Sequence, residues 1–372
     1  MEKNEFGSIL IYLIMVGLLL LVSKTVVVLV LNNIETPINQ FAYILICALV
    51  SLVLFEFVYQ IGHIIGAKIG KYKCIYFNMF GLCFYKDNEK WRFKLDGFDG
   101  LFSETRFVPV NNEVKSNPAH FLRGGIVSFL LSVVVGFAIF MISALPDTVR
   151  FATLIYFGIG LVLLLYNIIP MKTDILNDGY RLKLLGTKEN AKAYNDFMRI
   201  ENNKRKGIAD GEYNVYETIT PMTVLINNHV FYKKLAVKDY AAAEQIVDII
   251  LKKPEALDTN TIYRYRIQKL FFVIITKSKE EASEYYWKEM SSYDRKFLAK
   301  DNYIPSKRVY LLVSGIINES ESESRIAIEG MKKRINRMVD ATQKNAELQL
   351  YITCLEMVMK NLGSDDLINY FN

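Results

Sequence analysis

Hydrophobic and polar positions divide this chain at about residue 170. Before that point lie four long apolar runs: about Gly7–Leu31, Ala42–Ala67, Gly124–Leu145 and Phe151–Pro170. Each supplies the roughly 20 residues that a helix needs to cross about 30 Å of hydrocarbon. Only Lys24 interrupts the first, near an end from which its stem can snorkel to the interface. That run is too long, and lacks the small-residue cleavage site, for a simple signal peptide. Between the second and third runs the pattern changes period. Lys71–Phe77 and Lys90–Leu95 alternate aromatic and polar residues, bounded by Gly81, Asp87-Asn88 and Gly97, which predicts short strands in hairpins. Open strand edges are not tolerated in lipid, so this small sheet is expected to rest on the cytoplasmic surface or to plug a protein-lined cavity.

From about Leu182 onward, apolar residues recur at three and four positions within charged segments, predicting amphipathic helices throughout. Tyr232–Gln245, running on to Leu251 and Pro254, is similar to half of a tetratricopeptide repeat: an Asp239-Tyr240 turn, a small residue three positions later, and a closing proline. Glu281–Ser291 and Arg325–Asn345 also read as helical, without a clean repeat. This half is either an ordinary helical domain or an α-solenoid offering a concave face to a peptide or protein. The run Glu319–Ser324, alternating Glu and Ser, is expected to be a solvated turn or helix cap.

Composition narrows the class. The 372 residues are 52% hydrophobic and 23% charged, which excludes a purely soluble, a disordered or a collagen-like protein. A net charge of +6 suits an anionic membrane leaflet and makes no separate case for nucleic acid. Cys47, Cys74, Cys83 and Cys354 share no short paired spacing and are expected to be reduced thiols. Lys68–Arg123 carries ten Lys and Arg, whereas Asn32–Gln40 carries none and Pro146–Arg150 one. By the positive-inside rule both termini are cytoplasmic, in a multi-pass protein of the cell membrane whose second and fourth spans run inward.

Three polar side chains interrupt the end of the second span. Glu56, Gln60 and His63 share one helical face with Tyr59, because three, four and seven steps return to the same side. An unpaired charge in lipid costs a few kcal/mol, so that face is expected to look into protein. The structural reading is a hydrogen-bonded seam between helices.

The context of that face resembles the site-2 protease family of intramembrane zinc metalloproteases, which carry His-Glu-x-x-His, often extended as His-Glu-x-Gly-His-x-x-x-Ala. Here the corresponding run is Tyr59-Gln60-Ile61-Gly62-His63-Ile64-Ile65-Gly66-Ala67. The Gly, the second His and the Ala match; Tyr59 and Gln60 replace the first His and the Glu. A β region follows, as in the family. The third span opens Gly124-Gly125-Ile126-Val127-Ser128, like the small-residue entry to the family's second core helix. The fourth ends Asn167-Ile168-Ile169-Pro170 before Asp178-Gly179, like the family's Asn-x-x-Pro and Asp-Gly. The Pro-to-Asp spacing is longer than usual, leaving Asp178 and Asp174 as alternatives for the third ligand position. The resemblance covers roughly residues 42–185 and implies that His63, Asp178 and Tyr59 mark a metal or former metal site, with Glu56, Gln60 and Asn167 lining its cavity. His63 and Asp178 both fall at the cytoplasmic ends of inward-running spans, so they can converge.

Zinc hydrolysis needs three protein ligands, an open position for water and a carboxylate to take the water's proton. Two His at i and i+4 reach one ion because a helical turn separates them by about 6 Å. A Tyr59 phenol ligates only after losing a proton with a reference pKa near 10, and Gln60 cannot act as a base. Glu56, about 10 Å up the helix from His63, is too far to share its first shell. His120, just ahead of the third span, is an alternative ligand for a rearranged site of His63, His120 and an Asp. Otherwise it is an interfacial residue at a helix entry.

These readings predict an α-helical membrane protein of four transmembrane helices, a small cytoplasmic β-hairpin sheet and a C-terminal helical, tetratricopeptide-like domain. Its parts are a first transmembrane helix and outer loop (1–41), a site-2-protease-like membrane core (42–185) and a cytoplasmic helical domain (186–372). The leading expectation is a non-catalytic relative without a cofactor, binding a membrane peptide or transmembrane segment and recruiting a cytoplasmic protein through its helical domain. The alternatives are an active metalloprotease whose altered site holds zinc and processes a peptide precursor or membrane-bound regulator, and a transporter or immunity protein using the polar seam. No glycine-rich phosphate loop, Ser/His/Asp arrangement or nucleic-acid motif is present.

Overall fold

The computed structural model describes residues 13–14, 16–17, 20, 23–28 and 37–371, less 88–89, 96–102, 112–115, 172–175, 209–210 and 336–340. Most of the first apolar run, and Asp174, therefore lie outside the described residues. The chain separates into two compact units, Met1–Gly211 and Glu212–Asn372.

Among the described residues of the first unit, three helices are long and apolar enough to cross a membrane. Helix α1 (Pro37–Ile69) has 33 residues, about 50 Å at 1.5 Å per residue, and continues well past the thickness of a hydrocarbon core. Helix α2 (Ala119–Phe140) begins right after Pro118 and α3 (Asp147–Ile168) right after Pro146, because proline suits the first turn, where its missing N–H is no loss. Helix α2 thus starts five residues before the expected Gly124. Pro170 follows the end of α3, where it cannot be forced into a continuing helix.

The predicted strands form a four-stranded antiparallel sheet of β1 (Tyr72–Met79), β2 (Leu82–Asp87), β3 (Lys90–Leu95) and β4 (Ser103–Pro109), in the order β3-β2-β1-β4. Met79 pairs with Leu82 across a two-residue turn in which Phe80 (φ 52°) and Gly81 (φ 84°) are both left-handed. Such a turn matches the twist of the flanking strands, and glycine relieves one of its two strained positions. The register separates the faces. Met79, Leu82 and Leu95 lie in one row and Phe77, Phe84 and Phe93 in the next, on the side that carries Ser103 and Thr105. Tyr76, Asn78, Cys83, Tyr85, Arg92, Lys94, Glu104 and Arg106 occupy the other side.

Two further helices are described in this unit: the short α4 (Asp178–Leu185) and the longer α5 (Lys188–Lys206). Tyr72 and Phe107 of the sheet, Phe121 and Leu122 of α2, Leu185 of α4 and Met198 of α5 bury against Ala67 in one core. Phe55, Phe129, Val133 and Leu164 form a second core among the three long helices.

The second unit is helical among its described residues: α6 (Thr223–Ala236), α7 (Tyr240–Leu251), α8 (Thr259–Thr276), α9 (Lys279–Glu284), α10 (Ser292–Lys300), α11 (Ile304–Leu312), α12 (Glu321–Ile335), α13 (Ala341–Leu362) and α14 (Leu367–Phe371). Asp239 caps α7 by accepting from the Ala242 N–H, so the Asp-Tyr pair does mark a turn between two helices. Ser320 caps α12 by accepting from the Glu323 N–H, which assigns the Glu/Ser run to a helix start. At the centre, Arg308 of α11 and Glu347 of α13 are both fully buried, 3.4 Å apart. The Arg308 guanidinium also lies 4.2 Å from the Phe271 ring centroid and donates to Gln268 Oε1 at 2.9 Å.

Candidate functional site

The site begins with the crossing of α1 and α2. A Cβ on Gly62 would fall 2.4 Å from the Gly124 carbonyl oxygen, and one on Gly124 would fall 2.3 Å from that of Gly62. Only glycine lets the two backbones touch in this way. The same approach lays the His63 imidazole on the bare α-carbon of Gly125, where a Cβ would come within 2.5 Å of Nε2. His63 is 7% exposed, so its ring is locked between helices.

Asp178 reaches this point from the other side. Asn177, itself buried, ties the end of α3 to the start of α4. Its Nδ2 donates to the carbonyls of Tyr166 at 2.5 Å and Ile169 at 2.7 Å. Its Oδ1 caps α4 by accepting from the Tyr180 N–H at 2.9 Å. Gly179 then packs directly under the end of α3, since a Cβ there would fall 2.2 Å from the Ile168 oxygen. Sequence reasoning noted Gly179 and overlooked Asn177, whose signal was an Asn directly before an Asp-Gly helix start.

These elements bring Tyr59, His63, Asn167 and Asp178 together. Tyr59 donates its hydroxyl proton to Asp178 Oδ2 at 2.5 Å, and His63 Nε2 lies 3.2 Å from the same oxygen. The Asn167 Oδ1 is 3.0 Å from the Tyr59 hydroxyl, while its Nδ2 donates to the Leu163 carbonyl. The Tyr59 and His63 rings meet edge to face with centroids 4.4 Å apart, a favourable quadrupolar arrangement. Asp178 is thus a buried carboxylate, 5% exposed, whose charge is met by a phenol and an imidazole.

The donor set bears on a metal. Ligand atoms about 2.0–2.1 Å from a tetrahedral zinc stand roughly 3.3 Å from one another. The Tyr59 and Asp178 oxygens are much closer than that and share a proton. This is the geometry of a hydrogen bond, with the phenol in its neutral form. Among the described residues no group of three His, Cys, Asp or Glu is placed to hold a metal ion. The His120 carbonyl oxygen lies against Gly66, three residues on from His63, and the His120 Cβ lies beside Gly70.

Gln60 and Glu56 turn to the sheet instead. Gln60 Nε2 donates to Ser103 Oγ at 2.6 Å, and Thr105 donates its hydroxyl to Gln60 Oε1. Ser103 in turn donates its own hydroxyl to the Glu56 carboxylate. Ser103 and Thr105 are two residues apart on β4, hence on one face and about 7 Å apart. Glu56 and Gln60 are four apart on α1, hence on one face and about 6 Å apart. The two repeats match, and β4 runs alongside α1 as a welded pair. Ser103 and Thr105 were not legible in the sequence, where they are two ordinary polar residues of a strand.

No family model, curated protein or solved structure matches this chain.

Proposed function

We propose that this chain is a multi-pass membrane protein of site-2-protease-like architecture that does not hydrolyse peptides. In this reading its first apolar run is a fourth span, and both termini are cytoplasmic. It holds a membrane peptide or transmembrane segment beside α1 and β4, and its second, tetratricopeptide-like unit engages a cytoplasmic protein. The observation that carries this reading is the fate of the two substituted motif positions. Gln60, where the family has its base, has both ends of its amide bonded to β4. Tyr59, where the family has its first ligand, keeps its proton on a hydrogen bond to Asp178. Both side chains are thus engaged by protein partners.

Elemental analysis of the purified protein tests this directly. The expected result is zinc far below one equivalent. Stoichiometric zinc that disappears in His63→Ala overturns it.

One observation favours a second reading, an altered metalloprotease: His63 and Asp178 still meet, although nothing in a plain helix seam requires that pairing. This reading expects processing of a co-expressed membrane-bound substrate to stop in both His63→Ala and Asp178→Asn. Unchanged processing in the two variants excludes it.

A further inference from the structure

The second unit carries a cavity of about 440 Å³ where the end of α7, the helix α8 and the segment joining α9 to α10 meet, a volume within the range of ligand sites. Leu251, Pro254, Tyr285 and Met290 supply its apolar wall, and Arg266, Glu289 and Asp294 its charges.

The wall between α9 and α10 is wound in an uncommon way. Tyr285–Glu289 is a single π turn, closed by the Met290 N–H, which donates to the Tyr285 carbonyl at 3.0 Å. Such a turn holds one residue more than an α turn and often sits at a functional site. Arg295 pins it from outside. Its Nη1 donates to the Tyr286 and Trp287 carbonyls at 3.2 and 3.3 Å, and its guanidinium lies 5.9 and 5.5 Å from the same two rings. Tyr285 and Glu289 are therefore presented to the cavity by a hydrogen-bonded backbone.

Most polar groups around the cavity are already paired. Arg266 Nη1 lies 3.4 Å from Asp294 Oδ1, and Asp294 Oδ2 accepts from the Ser291 N–H at 3.1 Å and from the Ser291 hydroxyl at 2.6 Å. Lys269, one turn along α8 from Arg266, is held by Glu244 at 2.8 Å and Asp248 at 2.7 Å. The Glu289 carboxylate and the Tyr285 hydroxyl, by contrast, have no hydrogen-bond or ion-pair partner among the described residues. A carboxylate only accepts, and a phenol oxygen can accept as well. The surrounding charge has the same sense. Burial raises the Tyr285 phenol, and of the charges acting on it Asp294, Asp248 and Glu289 are acidic while Lys269 is basic. This favours a cation over an anion.

Two features indicate what carries that cation. The apolar wall beside Glu289 suits an alkyl stem, which lysine and arginine lay along apolar surface while the charged head reaches a polar partner. An aromatic ring in the wall adds to the attraction of a cation. In addition, Trp287 and Tyr293, close in sequence to Glu289 and Asp294, are 55% and 70% exposed. Large aromatic side chains of this kind anchor contacts with proteins, and a free amine is too small to use them.

We propose that this cavity takes a lysine or arginine side chain of a partner protein, with its alkyl stem on Leu251, Pro254 and Met290 and its charged head between Glu289 and the Tyr285 hydroxyl. The inference rests on the reading of the second unit as the one that engages a cytoplasmic protein, and adds the chemistry of that contact. The experiment uses full-length Trp91→Phe protein in a nonionic detergent. Trp287 is then the one tryptophan, because the chain has two, and its emission reports binding beside the cavity. Capped peptides of alanine and serine carry lysine, norleucine or glutamate at their centre. The lysine peptide is expected to give a saturable change and to bind about tenfold tighter than the norleucine peptide, the combined size of one exposed ion pair and one cation–π contact. The glutamate peptide is expected to bind no better than the norleucine one. Glu289→Gln lowers the lysine preference by about fivefold, and raised salt weakens it likewise. Glu356→Gln, which alters an exposed carboxylate on α13, leaves it unchanged. No saturable change with the lysine peptide overturns the proposal. So does equal affinity for the three peptides, or a lysine preference undiminished in Glu289→Gln. Spermidine that binds more tightly than the lysine peptide counts against the protein-partner reading instead, so the two failures are distinct.

Discussion

Removing one oxygen from the candidate site gives a quantitative test. Tyr59→Phe deletes the hydroxyl that donates to Asp178 at 2.5 Å and leaves the rings stacked edge to face. Asp178 then stays buried with His63 as its remaining donor in this pair. A hydrogen bond to a charged group contributes about 1.5–3 kcal/mol, equivalent to a roughly 10- to 150-fold change in an equilibrium constant. For a unit of about 200 residues this corresponds to a fall of about 3–12 °C in melting temperature. Thermal unfolding of the full-length protein in detergent, followed in parallel for Tyr59→Phe and wild type, measures it. A chelator arm separates the causes. If hydrogen bonds hold the site, excess chelator leaves the wild-type transition where it is. Two results refute the reasoning: no shift in Tyr59→Phe, or a wild-type transition that falls with chelator as far as the variant's.

Other expected outcomes follow from the same contacts. Gly179→Ala places a Cβ 2.2 Å from the Ile168 backbone oxygen, so it destabilises the first unit by more than the 1–3 kcal/mol usual for overpacking against side chains; chemical unfolding shows it, and an unaltered midpoint contradicts the described junction. Arg308→Met strands the buried Glu347 and lowers the stability of the second unit by about 3–5 kcal/mol, whereas Arg308→Met with Glu347→Leu recovers most of it; the comparison is a double-mutant cycle. Burial raises the Asp301 carboxyl, but the two hydrogen bonds from Arg264 and the one from Ser306 outweigh it and hold it below its usual value. A folded-state value below the unfolded one gives stabilisation that is complete above the ordinary aspartate range and lost as pH falls through the lowered value. Stability against pH for Asp301→Asn is therefore expected to lose part of its acid slope while keeping its shape near neutral pH.

Much of the architecture was readable in the pattern of residues, because its signals are local. Alternation over a few residues announces a strand, and Lys90–Leu95 lies where the alternation fell. An apolar run announces a long helix, although Pro118 and Pro146 moved the starts of α2 and α3 earlier than the apolar residues alone suggested. The Asp239-Tyr240 pair announced a turn, and the Glu319–Ser324 run a turn or helix cap, by residue type. The shared face of Glu56, Tyr59, Gln60 and His63 followed from helical periodicity.

What each of those four residues does was a different matter. Local pattern put them on one face and assigned them, through the resemblance, to one cavity. Tertiary structure divides them: Tyr59 and His63 turn to Asp178, and Glu56 and Gln60 turn to Ser103 and Thr105. The partners lie more than forty residues away in the strand case and more than one hundred in the other. No periodicity of either segment carries information about such a partner. The junction at Asn177 is of the same kind, since its side chain satisfies carbonyls freed where α3 stops at Pro170. Chain chemistry by itself determined which stretches are helix or strand and which side of each is polar, because period and propensity act within a few residues. Only the tertiary structure decided which polar groups satisfy one another, because a buried hydrogen bond is settled by whichever distant donor the packing brings within 3 Å.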